Sequence, residues 1–269
     1  MPLVTMDDDV RIHVEDIGTG PAVVLISGFG LDHQLWDRQM RVLAREGYRV
    51  IAITQRGHGK SDHPYDAYSM DRLAADVVAV LESLGVSGVT LVGHSFGGQV
   101  SFHVTATAPN LVSKLVLVGS NAVRSSRSDN YPFGHPPEPV LAKLIDDEEN
   151  NRIDSRYHLI GSTFGSEPSQ RVVEWLMRTW MEMPSWAAVS CYTTMQHADL
   201  IHEMAAVKQP VLLISGTADP IHSARATRWV QSELANAQVA EMACGHFPML
   251  EDPLGFEEIL RTFITRAED

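Results

Sequence analysis

The chain has 269 residues, 44% hydrophobic and 20% charged, with a formal net charge of −13. That composition supplies enough apolar side chain for a sizeable core and excludes a disordered chain, and the length fits one α/β domain carrying an insertion. The acidic balance repels nucleic acid and anionic lipid, so neither is expected as a partner.

The opening MPLVTMDDDV carries three acids where a secretory leader carries bases, and no apolar run approaches the ~18 residues of a membrane span. A cytoplasmic protein without membrane attachment is expected. Residues 10–15 alternate in the manner of an edge strand. Short runs rich in β-branched residues follow at 22–27, 49–54, 89–93, 115–119, 211–215 and, more weakly, 238–242. Helical patterns separate them, which is the signature of a mostly parallel central sheet flanked by helices. Over residues 70–84, Leu73, Val77, Val80, Leu81 and Leu84 recur at helical spacing, with Ser69 as N-cap and Gly85 as stop. Further helices are expected over 96–108, 224–234 and 253–266.

Between residues 121 and 204 the strand–helix rhythm breaks. Polar loop chemistry over 125–139 gives way to helical segments in which Trp175, Leu176, Trp180, Met181, Met183 and Trp186 crowd together. Because strands resume at Val211, this stretch reads as a helical cap inserted into a core made of residues 1–120 and 205–269. The acidic run Asp146-Asp147-Glu148-Glu149 reads as a solvated face. Cys191 and Cys244 are too few for a disulfide framework, lack CxxC spacing, and read as small buried hydrophobes. No phosphate loop, dinucleotide fingerprint or metal constellation is visible.

Gly93-His94-Ser95-Phe96-Gly97-Gly98 follows the run at 89–93 and leads into a helix, the strand–turn–helix setting that a G-x-S-x-G nucleophile turn requires. Glycines are needed there because side chains flanking so tight a turn would strike neighbouring backbone. A serine hydroxyl is a weak nucleophile at neutral pH and needs a base, which in turn needs an orienting acid. Of the 12 histidines, His246 alone lies just past the last strand and before the last helix. Asp219, in Ser215-Gly216-Thr217-Ala218-Asp219-Pro220, follows the preceding strand and completes the order serine, acid, histidine. The backbone N–H groups of Phe96 and of Phe29, the latter in Ser27-Gly28-Phe29-Gly30, are the candidate oxyanion donors. Gly28, His158, Trp180, Met183 and Trp186 are the candidate substrate-lining residues.

With these residues placed, the chain resembles the α/β-hydrolase superfamily over nearly its full length, most of all the small capped esterases, lactonases and haloperoxidase-like enzymes. The resemblance rests on the Ser95 turn, Arg56-Gly57-His58-Gly59-Lys60-Ser61, Gly216-Thr217-Ala218-Asp219 and Gly245-His246. It implies hydrolysis of an ester, lactone, amide or carbon–carbon bond through an acyl-enzyme, without metal or cofactor; the apolar cap residues add the expectation of a small hydrophobic ester or lactone, and a homo-oligomer is compatible with it. Ser95 argues against the dehalogenases and epoxide hydrolases of this fold, whose nucleophile is aspartate. Carbon–carbon bond hydrolases remain an alternative. Two positions depart from the family pattern: Ser27 stands where His is common, and Gln55 replaces the usual acid before Arg56, so altered local hydrogen bonding is expected there. A further alternative comes from the stretch from Gly28 to Trp36, which is similar to the Gly-Phe-Gly-x-Asp-x-x-x-Trp segment of hydrolase-fold sensors that turn over slowly and signal to a partner protein.

Overall fold

Strands whose residues are apolar without alternation must be covered on both faces, and the sheet of the computed structural model, which describes residues 3–266, is built that way. Its strands are β1 (Leu3–Thr5), β2 (Arg11–Ile17), β3 (Ala22–Ile26), β4 (Arg49–Ile53), β5 (Val89–His94), β6 (Val112–Val118), β7 (Val211–Gly216) and β8 (Ala237–Met242). They lie in the order β1-β2-β4-β3-β5-β6-β7-β8. All pairings from β4 to β8 are parallel, whereas β2 runs antiparallel to β4 and β1 antiparallel to β2. Every residue of β5 and of β7 is buried. The short β1 covers β2, which is therefore not the outermost strand as its alternation suggested.

The helices are α1 (Asp37–Arg45), α2 (Met70–Ser83), α3 (Phe96–Thr107), α4 (Pro137–Asn150), α5 (Arg152–Ser162), α6 (Gln170–Met181), α7 (Ser185–His197), α8 (Ala224–Glu233), the single turn α9 (Pro248–Glu251) and α10 (Pro253–Ile264). Their bounds fall within two residues of the expected ones for α2, α3, α8 and α10. Ser69 caps α2 by accepting from the Arg72 N–H at 3.2 Å, and Leu73, Val77, Val80 and Leu81 face the core. Helices α4 to α7 come between β6 and β7 and pack on one another, α4 against α5 and α7, α5 against α6.

Two buried cations tie distant segments to this frame. The Arg56 guanidinium is fully enclosed and bonds both carboxylate oxygens of Asp76 on α2 at 2.6 and 2.8 Å, then Asp8 at 2.9 Å. Lys114 on β6 donates to the carbonyls of Ile264 and Arg266 at 2.8 and 2.6 Å, closing the end of α10 onto the sheet. The acidic run on α4 is not wholly solvated: Glu148 is 2% exposed and paired with the equally buried Arg156 of α5. Four acids in a row hid one that packs inward at helical spacing. Among the described residues no helix is long and apolar enough to cross a membrane.

Candidate active site

Parallel strands deliver their carboxyl ends to one edge of the sheet. Ile26 pairs with Gly93, His94 with Val118, Val118 with Ile214, and Gly216 with Met242. The loops after β3, β5, β7 and β8, holding Phe29, Ser95, Asp219 and His246, therefore open side by side.

Ser95 sits between β5 and α3 with φ of 52° and ψ of −120°, a left-sided conformation that L-residues avoid and that tight packing must hold. The Ser95 N–H donates to Val118 O at 2.9 Å, and Ser95 O accepts from Gly98 N–H at 2.9 Å. A Cβ on Gly93 would run into Ser101 Oγ, and one on Gly97 into the Ser27 carbonyl. The second contact brings the loop after β3 against the start of α3. A Cβ on Gly28 would come within 2.9 Å of Ser95 Cβ. Phe96 opens α3, so its N–H belongs to the unsatisfied donors of a helix start. Among the described residues the Phe29 N–H meets no backbone acceptor.

His246 Nδ1 lies 2.8 Å from Asp219 Oδ2, and Asp219 Oδ1 accepts from the N–H groups of Ile221 and His222 at 2.7 and 3.1 Å. Burial by itself would raise the Asp219 carboxyl, but the His246 imidazole and the His222 N–H hold it below the usual carboxylate range. It is therefore ionised at neutral pH and accepts from the Nδ1 side of the ring, which turns Nε2 away from it. The backbone of His246 is held as well. Its N–H donates to Thr163 O at 2.8 Å, and its carbonyl accepts from His94 Nε2 at 3.0 Å. Burial, aided by the nearby His246, pushes His94 well below the ordinary histidine range, so it stays neutral while donating.

Ser95 and His246 line one cavity of about 310 Å³. Much of the rest of its wall is apolar and comes from the loop after β3 (Phe29, Leu31), from α4 and α5 (Leu144, Leu159, Ile160), and from α6 and α7 (Trp180, Tyr192, Met195). The Phe29 ring stacks on Tyr192 at 4.1 Å and meets Trp180 edge-on at 5.5 Å, so helices α6 and α7 clamp the loop that carries the Phe29 N–H. Gly30, at φ +74°, lies directly under Trp180, where a side chain would have no room.

Residues 21–253 match the family model of the alpha/beta hydrolase fold. The chain belongs to the alpha/beta hydrolase family. It is 31% identical over 234 residues to a bifunctional esterase/perhydrolase of Acinetobacter calcoaceticus, covering 82% of this chain and 83% of that one. A non-heme chloroperoxidase of Streptomyces lividans is 33% identical over 231 residues, again with 82% and 83% coverage. Among solved structures, an esterase from Exiguobacterium antarcticum superposes with a TM-score of 0.95 at 26% identity, covering 98% of this chain and 99% of the other.

In this alpha/beta hydrolase, three of the expected lining residues stand elsewhere. His158 is exposed, because on α5 it is Leu159 and Ile160 that face inward. Met183 is wholly buried and lends its carbonyl to Arg152 and Arg156 at 2.7 and 3.1 Å. Trp186 is 45% exposed, with its indole N–H on Pro64 O at 3.1 Å. Trp180 does line the cavity, and Gly28 lies behind it against His94 and Ser95.

The two departures from the family pattern meet each other. Gln55 Nε2 donates to Ser27 O at 3.0 Å, and Ser27 Oγ donates to Asp32 O at 2.6 Å, so this pair braces the loop after β3. Two further residues belong to the site without a role expected from the sequence. His222 lines the cavity with its ring centroid 5.6 Å from that of His246, and burial, against the pull of Asp219, pushes it down to about 4, so it is neutral. Glu251 accepts from the N–H groups of Gly245, Phe247 and Gly165 at 3.0, 3.2 and 2.8 Å, and so cradles the loop on which His246 rides. The Asp-Pro pair ahead of His222 was a usable signal for a turn at the acid; nothing local marks Glu251.

Proposed function

We propose that this chain is a serine hydrolase of carboxylic esters or lactones, with Ser95 as nucleophile, His246 as base and Asp219 as its orienting acid, and with residues 121–204 as a substrate-selecting cap. The observation that carries the reading is the 2.8 Å bond from Asp219 to His246, on a ring that shares one cavity with a serine held at φ 52°. In the first half-reaction Ser95 Oγ attacks the scissile carbonyl carbon and its proton passes to His246 Nε2. The imidazolium is stabilised by Asp219, and the carbonyl oxygen, now anionic, accepts from the N–H groups of Phe29 and Phe96. Collapse of the adduct breaks the bond to the leaving alkoxide, which takes the proton from His246. Water then repeats the sequence on the acyl-enzyme and releases the carboxylic acid.

The apolar wall supports a hydrophobic acyl or aromatic substrate. A second cavity of about 380 Å³ shares His135, Val140, Leu144, Leu159 and Tyr192 with the first, which favours acyl chains long enough to reach between α4 and α5. The test is steady-state and burst kinetics on p-nitrophenyl esters of graded chain length and on lactones. Multiple turnover that falls on the order of 10⁶-fold in Ser95→Ala is expected. A single slow burst from the unmodified protein would instead favour the sensor alternative, and full activity in Ser95→Ala would remove the nucleophile assignment.

A further inference from the structure

A second cluster of reactive side chains lies outside the cavity, where β2 faces the turn that follows β3. His13 and Glu15 are two residues apart on β2 and so share a face of the sheet, and His33 opens the 3₁₀ turn His33–Trp36 beside them. His13 Nε2 is 3.4 Å from Glu15 Oε1, His33 Nε2 is 3.7 Å from the same oxygen, and the three donor atoms all lie within 4.8 Å of one another. The two imidazole rings are 4.7 Å apart, centroid to centroid.

We infer that His13, Glu15 and His33 form a binding site for a divalent transition-metal ion of the class that takes imidazole nitrogen together with carboxylate oxygen, zinc and cobalt being representative. A tetrahedral ion bonded at ~2.0–2.1 Å to each ligand sets donor atoms roughly 3.3 Å apart, close to the two distances already present at Glu15. Metal-ligating histidines present one nitrogen to the ion and rest the other on an outer oxygen, and both rings are so arranged. Their Nε2 atoms aim at Glu15, while Thr54 Oγ1 lies 3.5 Å from His13 Nδ1 and 3.4 Å from His33 Nδ1. Asp32 Oδ2 is 3.5 Å from His33 Nδ1, so a carboxylate also stands behind that ring.

A plain ion pair does not account for the cluster. His13 is 2% exposed and its Nε2, aimed at the site, is buried without a hydrogen-bond partner. A bound ion would staple β2 to the turn that begins two residues after Leu31, a residue of the cavity wall. Its part is bracing, and no step of the proposed hydrolysis passes through it. Nothing in the sequence signals the site, because His33 reaches it only through the fold.

The test is titration of tag-free, chelator-stripped protein with Co²⁺, read by its visible absorption, and with Zn²⁺, read by calorimetry and by melting temperature. One saturable equivalent is expected, with Co²⁺ bands that strengthen as the ion leaves its octahedral water shell, and a rise in melting temperature with Zn²⁺. Glu15→Gln and His33→Ala should each weaken binding by at least ~100-fold. Both side chains are partly exposed, at 24% and 13%, so these variants are expected to fold; a His13 variant, buried, is not needed. His202→Ala, exposed and outside the cluster, should bind as the unmodified protein does. Absence of a saturable equivalent, or one that survives both Glu15→Gln and His33→Ala, would overturn the site. Because the readouts are spectral, calorimetric and thermal, the result is independent of whether esters are hydrolysed.

Discussion

A base that works by hydrogen bonding must be placed to within fractions of an ångström, and His246, the proposed base, is placed mainly by groups other than itself. Asp219 fixes its ring, but the loop beneath is held by one carboxylate, Glu251, through three backbone N–H groups. Glu251→Ala should therefore lower kcat for ester turnover by about 10²-fold, since misplacing a catalytic group by ~1 Å costs that much, with KM little changed. Glu251→Gln, which keeps one accepting oxygen, should recover part of the loss. A KM effect without a kcat effect would contradict a positioning role. Ser95, Asp219 and His246, the proposed triad, could be placed at one sheet edge from the sequence because each follows a strand end, where the chain's own rhythm says which edge a residue must reach. Glu251 could not, since in Pro-Met-Leu-Glu-Asp-Pro it looks like any acid on a short helix, and one of its donors, Gly165, lies 86 residues away. His158, Met183 and Trp186 misled for a related reason. Helices α4 to α7 have no strand between them to set their register, so residue type suggested a lining role that helix rotation denied to His158 and Trp186, and that the turn between α6 and α7 denied to Met183.

At the scale of elements, the strands and their flanking helices were largely readable because unbroken apolar runs and 3.6-residue spacing encode them locally. The short α1 and β1 were not expected: β1 has three residues, and α1 starts directly from the 3₁₀ turn without a capping side chain. What joins elements is harder to see. Arg56 enters the core from a loop and is neutralised by Asp76 of α2, a pairing that only the folded chain creates. Asp76→Ala would leave a fully buried guanidinium with Asp8 as its remaining carboxylate, and loss of a partner from a buried pair costs about 3–5 kcal/mol. The expected outcome is a matching drop in unfolding free energy in urea with an unchanged m-value. A change below about 1 kcal/mol would show that Asp8 and solvent suffice.

For the whole molecule, acid stability follows from histidines kept neutral inside it. Burial lowers His58 and His222 to about 4, while the unfolded chain holds histidines near ~6.5. Between those values the unfolded state binds more protons than the folded one, so stability falls as pH decreases through the window, by up to ~3 kcal/mol for each group. The depressed Asp219 adds a loss at still lower pH, as its carboxylate is titrated in the folded state. The melting temperature should decline from pH 6.5 downward and do so less steeply in His58→Gln; a flat profile between pH 6.5 and 4 would contradict the assignment. Lys114 has a different consequence, for the order in which the chain becomes a structure. Its ammonium is buried on β6, yet its best acceptors, the carbonyls of Ile264 and Arg266, are 150 and 152 residues further along. During synthesis β5 and β6 leave the ribosome long before those carbonyls exist, and a buried ammonium without acceptors is strongly disfavoured. The sheet around Lys114 is therefore expected to close only after α10 has been made, so a late segment completes the burial of a much earlier strand.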